Sequence, residues 1–99
     1  MPFDYRKLDP LLDSRMRVAI LALLLNGDTV DFVHMRDKLQ VTDGNLAKHL
    51  RRLEDAAYVR MEKSFLGRRP RTSYTITDKG GEALQNHVRV LGELAQQDG

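Results

Sequence analysis

A chain of 99 residues, 41% hydrophobic and 30% charged, makes one small domain, with room for one modest core and little for a separate ligand-binding domain. Cysteine is absent, which excludes disulfides, thiolate metal sites and thiol-based oxidation sensing. The longest apolar run, Val18 to Leu25, is too short to span a bilayer and the start of the chain has no basic-then-apolar signal pattern, so a soluble, cytoplasmic protein is expected.

The net charge of +2 conceals a gradient. Residues 1–33 carry four Lys or Arg against five Asp, residues 34–74 carry ten against five Asp or Glu, and residues 75–99 carry two against four. A basic centre between acidic ends is the footprint of a surface facing a polyanion. Charge alone fits solvated helix faces equally well, so the decision rests on the elements that carry it.

Met1 to Leu8 reads as an arm with Phe3, Tyr5 and Leu8 as its apolar positions. Asp9-Pro10 is an N-cap followed by proline at the first helical position, and Leu11 and Leu12 complete a short turn. Ser14 caps a helix running to about Leu25, where Asn26-Gly27 stops it. The second half of that helix is apolar nearly all round, which places it at the centre of the domain or between two subunits. Thr29 to Asp31 is a short extended piece. Phe32 to Leu39 is a helix burying Phe32, Met35 and Leu39, with His34, Asp37 and Lys38 outward.

Gln40-Val41-Thr42 is a tight connection, and Thr42 is the N-cap of a helix from Asp43 to Ala56, which together make a helix-turn-helix. Tyr58 to Phe65 and Thr72 to Thr77 alternate like strands, with Val59, Met61 and Phe65 opposite Tyr74 and Ile76. Gly67 and Pro70 mark the loop Leu66 to Arg71 between them. Thr77 or Asp78 caps a last helix that continues to about Gln97. The expected fold class is mainly α with a small β-hairpin, an α+β domain.

On a helical wheel, Leu46, Leu50 and Leu53 form the core seam of the helix Asp43 to Ala56. Gly44, Asn45, Lys48, Arg51, Arg52 and Asp55 lie opposite. Gly44, Asn45 and Lys48 fall in the first two turns, the part of a recognition helix that reaches base edges. Asn bonds adenine bidentately, Lys donates to guanine, and Gly44 permits close approach to the groove floor. Arg51 and Arg52 lie further along, where they grip phosphate. His49 sits beside the seam, either as a packing residue or as a phosphate donor. Thr42 is most simply a cap, though its hydroxyl can also meet phosphate.

Lys63, Arg68, Arg69 and Arg71 cluster around the glycine-proline turn. Three arginines at one loop tip repel each other unless a polyanion screens them, and such a loop beside a helix-turn-helix can enter the minor groove. In the last helix, Leu84, Val88, Leu91 and Ala95 form an a/d stripe, widened by Ala83, Val90 and Leu94. A domain this small leaves part of that stripe for a partner helix. Catalysis has no support: Ser14, Ser64 and Ser73 have no His and carboxylate partners brought together by the sequence, and Gly67-Arg68-Arg69 is not a phosphate-binding loop.

Several phrases resemble a known family: Leu8-Asp9-Pro10-Leu11-Leu12 followed by Arg17-Val18-Ala19-Ile20-Leu21; Thr42-Asp43-Gly44-Asn45-Leu46 leading into Lys48-His49-Leu50; Leu53-Glu54-Asp55; and Gly67-Arg68-Arg69-Pro70-Arg71-Thr72 into Tyr74-Thr75-Ile76-Thr77. They resemble the small stand-alone winged-helix transcriptional regulators of the MarR/ArsR/PadR type, over roughly residues 8–95. The resemblance implies a homodimeric regulator, a repressor by expectation, on a pseudo-palindromic double-stranded DNA operator. It implies the helix after Thr42 in the major groove and a wing, residues 66–71, at the minor groove. One departure is Ala57, where the family often has a glycine in a left-handed C-cap. His34, His49 and His87 are scattered without ligand spacing, so no metal or cofactor is expected. A small apolar effector lodged at the dimer interface stays open as a partner, although no residue argues for it. The competing reading is a winged helix used for protein–protein contact. That module needs a hydrophobic or acidic outer face on the third helix, and here the face is Asn, Lys and Arg.

Overall fold

Four side-chain caps set out the helices of the computed structural model, which describes residues 4–96. Ser14 Oγ accepts from the Arg17 amide (3.3 Å) to open α1, Arg15–Leu24. The Asp31 carboxylate accepts from the His34 amide (2.8 Å) to open α2, Phe32–Leu39. Thr42 Oγ1 accepts from Asn45 (3.3 Å) ahead of α3, Asp43–Asp55, and Thr77 Oγ1 from Gly80 (3.0 Å) ahead of α4, Asp78–Ala95. Each cap satisfies an amide the helix cannot, and removing one costs about 1 kcal/mol. The expectation that the last helix reaches Gln97, and the apolar arm position at Phe3, fall outside the described residues. Within the arm, Asp4 caps a 3₁₀ turn at Tyr5–Lys7, and Asp9 caps a second at Pro10–Leu12.

Among the described residues three strands complete the domain: β1 Val30–Asp31, β2 Val59–Leu66 and β3 Arg69–Ile76, antiparallel in the order β1-β3-β2. Val59 pairs with Ile76 and Met61 with Tyr74, as the alternation read from the sequence expects, whereas Phe65 pairs with Pro70 and is exposed rather than facing Tyr74 and Ile76. The connection is shorter than the expected loop Leu66 to Arg71: only Gly67 and Arg68 remain outside the strands. Gly67 at φ 65° supplies the left-handed first position of a type II′ hairpin turn. Pro70 does not break β3, because β1 reaches only Ser73 and Tyr74 and no ladder bond is lost on that side.

The core is one cluster. Ile20, Leu21 and Leu24 of α1 are fully buried against Met35, the α3 seam of Leu46, Leu50 and Leu53, Val59, Tyr74 and Leu84. Of the two sites left open for α1, it occupies the centre, packed on α3, α4 and β3.

The junction between α3 and β2 carries the departure noted at Ala57. Ala57 stands at φ 63°, its amide bonded to Glu54 O (2.9 Å), and the Tyr58 amide reaches Leu53 O (2.8 Å). This is a Schellman end with alanine in the left-handed position that glycine occupies without steric cost. The same junction anchors α4. Thr77 Oγ1 donates to Ala57 O (2.6 Å), and a Cβ at Gly80 would stand 2.1 Å from Tyr58 O, so only glycine lets the helix approach. The Tyr58 hydroxyl donates to Asp9, and burial, reinforced by that carboxylate, pushes its pKa up to about 12.

Candidate nucleic-acid interface

Among the described residues, the side chains on the outer side of α3, those of Asn45, Lys48, Arg51 and Arg52, form no ion pair. Gly44, Asn45, Lys48, Arg51 and Arg52 are all exposed, while Leu46, Leu50 and Leu53 turn wholly inward. Among the described residues no neighbour lies within 4 Å of a Cβ placed at Gly44, so no packing contact there requires glycine. Ala47, exposed between Asn45 and Lys48, was not anticipated as part of this face. Its methyl has the size and polarity to meet a thymine methyl. The missed signal was position: Ala47 lies one helical turn from Gly44 and from Arg51.

The cations divide into paired and free. Arg36 of α2 bridges Asp43 (2.9 Å) and Asp37 (3.0 Å), fixing the start of α3 against the preceding helix, and those carboxylates raise its pKa. Among the described residues, Lys48, Arg51, Arg52, Lys63, Arg68 and Arg69 have no carboxylate at ion-pairing distance. Arg71 differs from the other wing arginines. Its guanidinium holds Asp31 (2.8 Å), the cap of α2, and Asp31 is kept below the ordinary carboxylate pKa by the His34 amide and by Arg71.

The register also divides the wing into two faces. Arg71 sits across from Ser64 and Arg69 across from Leu66 on one face, whereas Lys63 sits across from Thr72 on the other, and Arg68 lies at the tip. The four cations expected as one cluster are therefore distributed around the ribbon.

His49 is half-buried and faces inward. Arg17, itself buried in α1, donates from Nη1 to His49 Nδ1 (3.0 Å) and from Nε to Leu11 O (2.5 Å). Because a guanidinium has no acceptor, His49 Nδ1 must be unprotonated, leaving Nε2 as its N–H. Burial, then the charges of Arg17, Lys48 and Arg52, depress its pKa. Of the two roles read for His49, this geometry gives it packing work, with Nε2 alone left for a phosphate. Thr42 remains exposed while its oxygen caps α3.

On α4, Leu84 lies in the domain's own core, so it is not available to a partner as expected. Val88, Leu91 and Leu94 are 60%, 43% and 42% exposed, Ala95 is exposed, and Val90 is buried. Among the described residues no three His, Asp or Glu side chains gather as a metal site, and no helix is long and apolar enough to cross a membrane.

A helix-turn-helix followed by a two-stranded wing, with free cations on the third helix and at the wing tip, defines a winged-helix protein built to meet a polyanion. Comparison with known proteins agrees. Residues 16–95 match the family model described as "winged helix DNA-binding domain", and the chain belongs to that family. It is 37% identical over 86 residues to the uncharacterized protein MJ0432 of Methanocaldococcus jannaschii, covering 87% of this chain and 94% of that protein. Among solved structures it resembles a transcriptional regulator homologue from Pyrococcus horikoshii, with 29% identity, a TM-score of 0.76 and coverage of 91% of this chain and 94% of that one. The fold is also that of MepR from S. aureus, solved in complex with DNA, at 19% identity and a TM-score of 0.74 over 92% of this chain and 74% of that one.

Proposed function

We propose that this protein is a sequence-specific double-stranded DNA-binding transcriptional regulator acting as a homodimer, and that it represses by occupying its operator. The observation that carries the reading is the outer side of α3, where exposed Asn45 and Lys48 in the first two turns stand beside Arg51 and Arg52 with no carboxylate partner among the described residues. Asn45 and Lys48 read base edges in the major groove, Gly44 and Ala47 allow close approach, and Thr42, Arg51 and Arg52 hold phosphate. Arg68 and Arg69 bring the wing to the minor groove, with Lys63 on the flanking backbone.

The dimer reading is supported by the apolar surface of α4, where Val88, Leu91 and Leu94 stay exposed although the helix has a buried seam. A two-fold pair of such domains presents two recognition helices about one DNA turn apart, which matches a pseudo-palindromic operator.

The test is a selection from a random duplex pool, repeated with Asn45→Ala and with Lys48→Ala. Each variant should lose about 1–3 kcal/mol of discrimination at one operator position. Variants that select the parent's sequence with the parent's affinity would remove α3 from base reading. Binding to a protein partner with no affinity for any duplex would favour the contact-module reading.

A further inference from the structure

The wing tip carries more apolar surface than folding explains. Phe65 is 74% exposed and Leu66 66% exposed, and neither belongs to the core cluster or packs against it. Scattered exposed apolar side chains are normal on any protein. Here, however, two are adjacent at the projecting end of a hairpin whose turn is only Gly67-Arg68. Consecutive strand residues point to opposite faces, so the tip is apolar on both sides. Pro70 sits across from Phe65 on one face, and Arg69 sits across from Leu66 on the other. The third strand does not back this end, since β1 pairs with β3 only at Ser73 and Tyr74.

We infer that the wing tip is an apolar wedge for the DNA minor groove: Phe65 and Leu66, drawn in by Arg68 and Arg69, open the groove and kink the duplex. The inference rests on the DNA-binding reading above and deepens it. Two paired strands are already about 4.8 Å apart, and side chains on both faces make the ribbon thicker than a minor groove about 6 Å wide. Seating such a tip requires the groove to widen. Apolar side chains entering there unstack a base step and bend the duplex by about 20–90° toward the major groove. The arginines provide charge complementarity, because the minor groove concentrates negative potential and attracts guanidinium groups. Flexible pyrimidine–purine steps are the easiest to open, so the wedge adds sequence preference where no base is read.

The experiment uses the full chain and an operator duplex of about 30 bp, end-labelled for energy transfer, with 2-aminopurine placed at successive steps outside the major-groove half-sites. The parent should shorten the end-to-end distance and raise 2-aminopurine fluorescence at one step per half-site. Phe65→Ser with Leu66→Ser should abolish both signals and weaken binding roughly tenfold, while leaving the dependence of affinity on salt unchanged. Arg68→Ala should do the converse, lowering the slope of log affinity against log salt by about 1.8 for the two wings of a bound dimer while retaining the bend. A parent that binds the duplex without bending or unstacking it, or a Phe65/Leu66 variant that bends it as the parent does, overturns the wedge and leaves the DNA-binding reading intact. A parent that binds no duplex overturns both. Both apolar residues lie outside the core, so circular dichroism of the variant should match the parent; a lost fold would show instead that the tip is structural and overturn the wedge.

Discussion

Helices α3 and α4 are both strongly amphipathic, yet the domain treats them differently. In α3 the seam of Leu46, Leu50 and Leu53 is entirely covered, and everything left outside is polar, cationic or small. In α4 the seam is divided: Leu84 and Val90 are buried, while Val88, Leu91 and Leu94 face solvent. The difference separates two kinds of surface. A completed seam with exposed cations needs no further apolar contact and leaves those cations available to a polyanion, whereas an incomplete seam leaves apolar surface in water that another apolar face would cover. The acidic balance of residues 75–99 fits the second role, since a face turned from DNA gains nothing from positive charge.

The largest effect is expected at the root of α4. Gly80→Ala places a methyl group against Tyr58 O and should cost about 3 kcal/mol in chemical denaturation. Gly81→Ala, next in sequence with open space around it, should gain up to about 1 kcal/mol. Equal effects at both positions would mean that α4 does not need its close approach to the junction. On the uncovered part of the helix, Leu91→Asp should convert dimers to monomers in sedimentation velocity while leaving the monomer's fold unchanged. A persisting dimer would move the interface off α4.

At the end of α3, Ala57→Gly should stabilise the domain by about 1 kcal/mol, because glycine adopts the φ of 63° without the steric cost. A loss of stability would show that this end contributes through something other than its backbone conformation. The smallest effect concerns pH. His49 is depressed below its ordinary pKa of 6.5 in the fold, so the unfolded chain binds protons there more readily. Its contribution therefore makes stability fall as pH drops through about 6.5, and that part of the slope should disappear in His49→Gln. Asp31, also depressed, acts in the same direction but only further down, below 3.8. A variant with the parent's slope near pH 6 would place the titration on another group.

What could be read from the sequence followed the range of the interactions involved. Thr42 and Thr77 announce α3 and α4 because a cap bonds an amide only three residues away, and the strand alternation follows from the pleat itself. The resemblance marks Ala57 as a departure and leaves open whether the helix ends differently there; only the structure shows alanine itself in the left-handed conformation. The pairing of Arg71 with Asp31 joins residues forty positions apart, and that of Arg17 with His49 joins residues thirty-two apart, so no spacing rule exposes either. Gly67 and Pro70 suggested a loop of six residues, but proline at a position with no ladder partner on its free side lets both strands run to the tip. That same extension brought Phe65 and Leu66 out as tip residues, where alternation alone marked Phe65 as an inner strand position. For Leu84 the periodic stripe was correct, but a stripe does not say which of its members the domain covers.

The central claim is that α3 reads a DNA sequence, and fluorescence anisotropy of the parent on its own upstream DNA beside a scrambled duplex, across a salt series, tests it most directly. The expected result is tight binding to the upstream duplex by two protomers, much weaker binding to the scrambled one, and a steep loss of affinity with salt. Equal affinity for both duplexes, or no affinity for either, would contradict it.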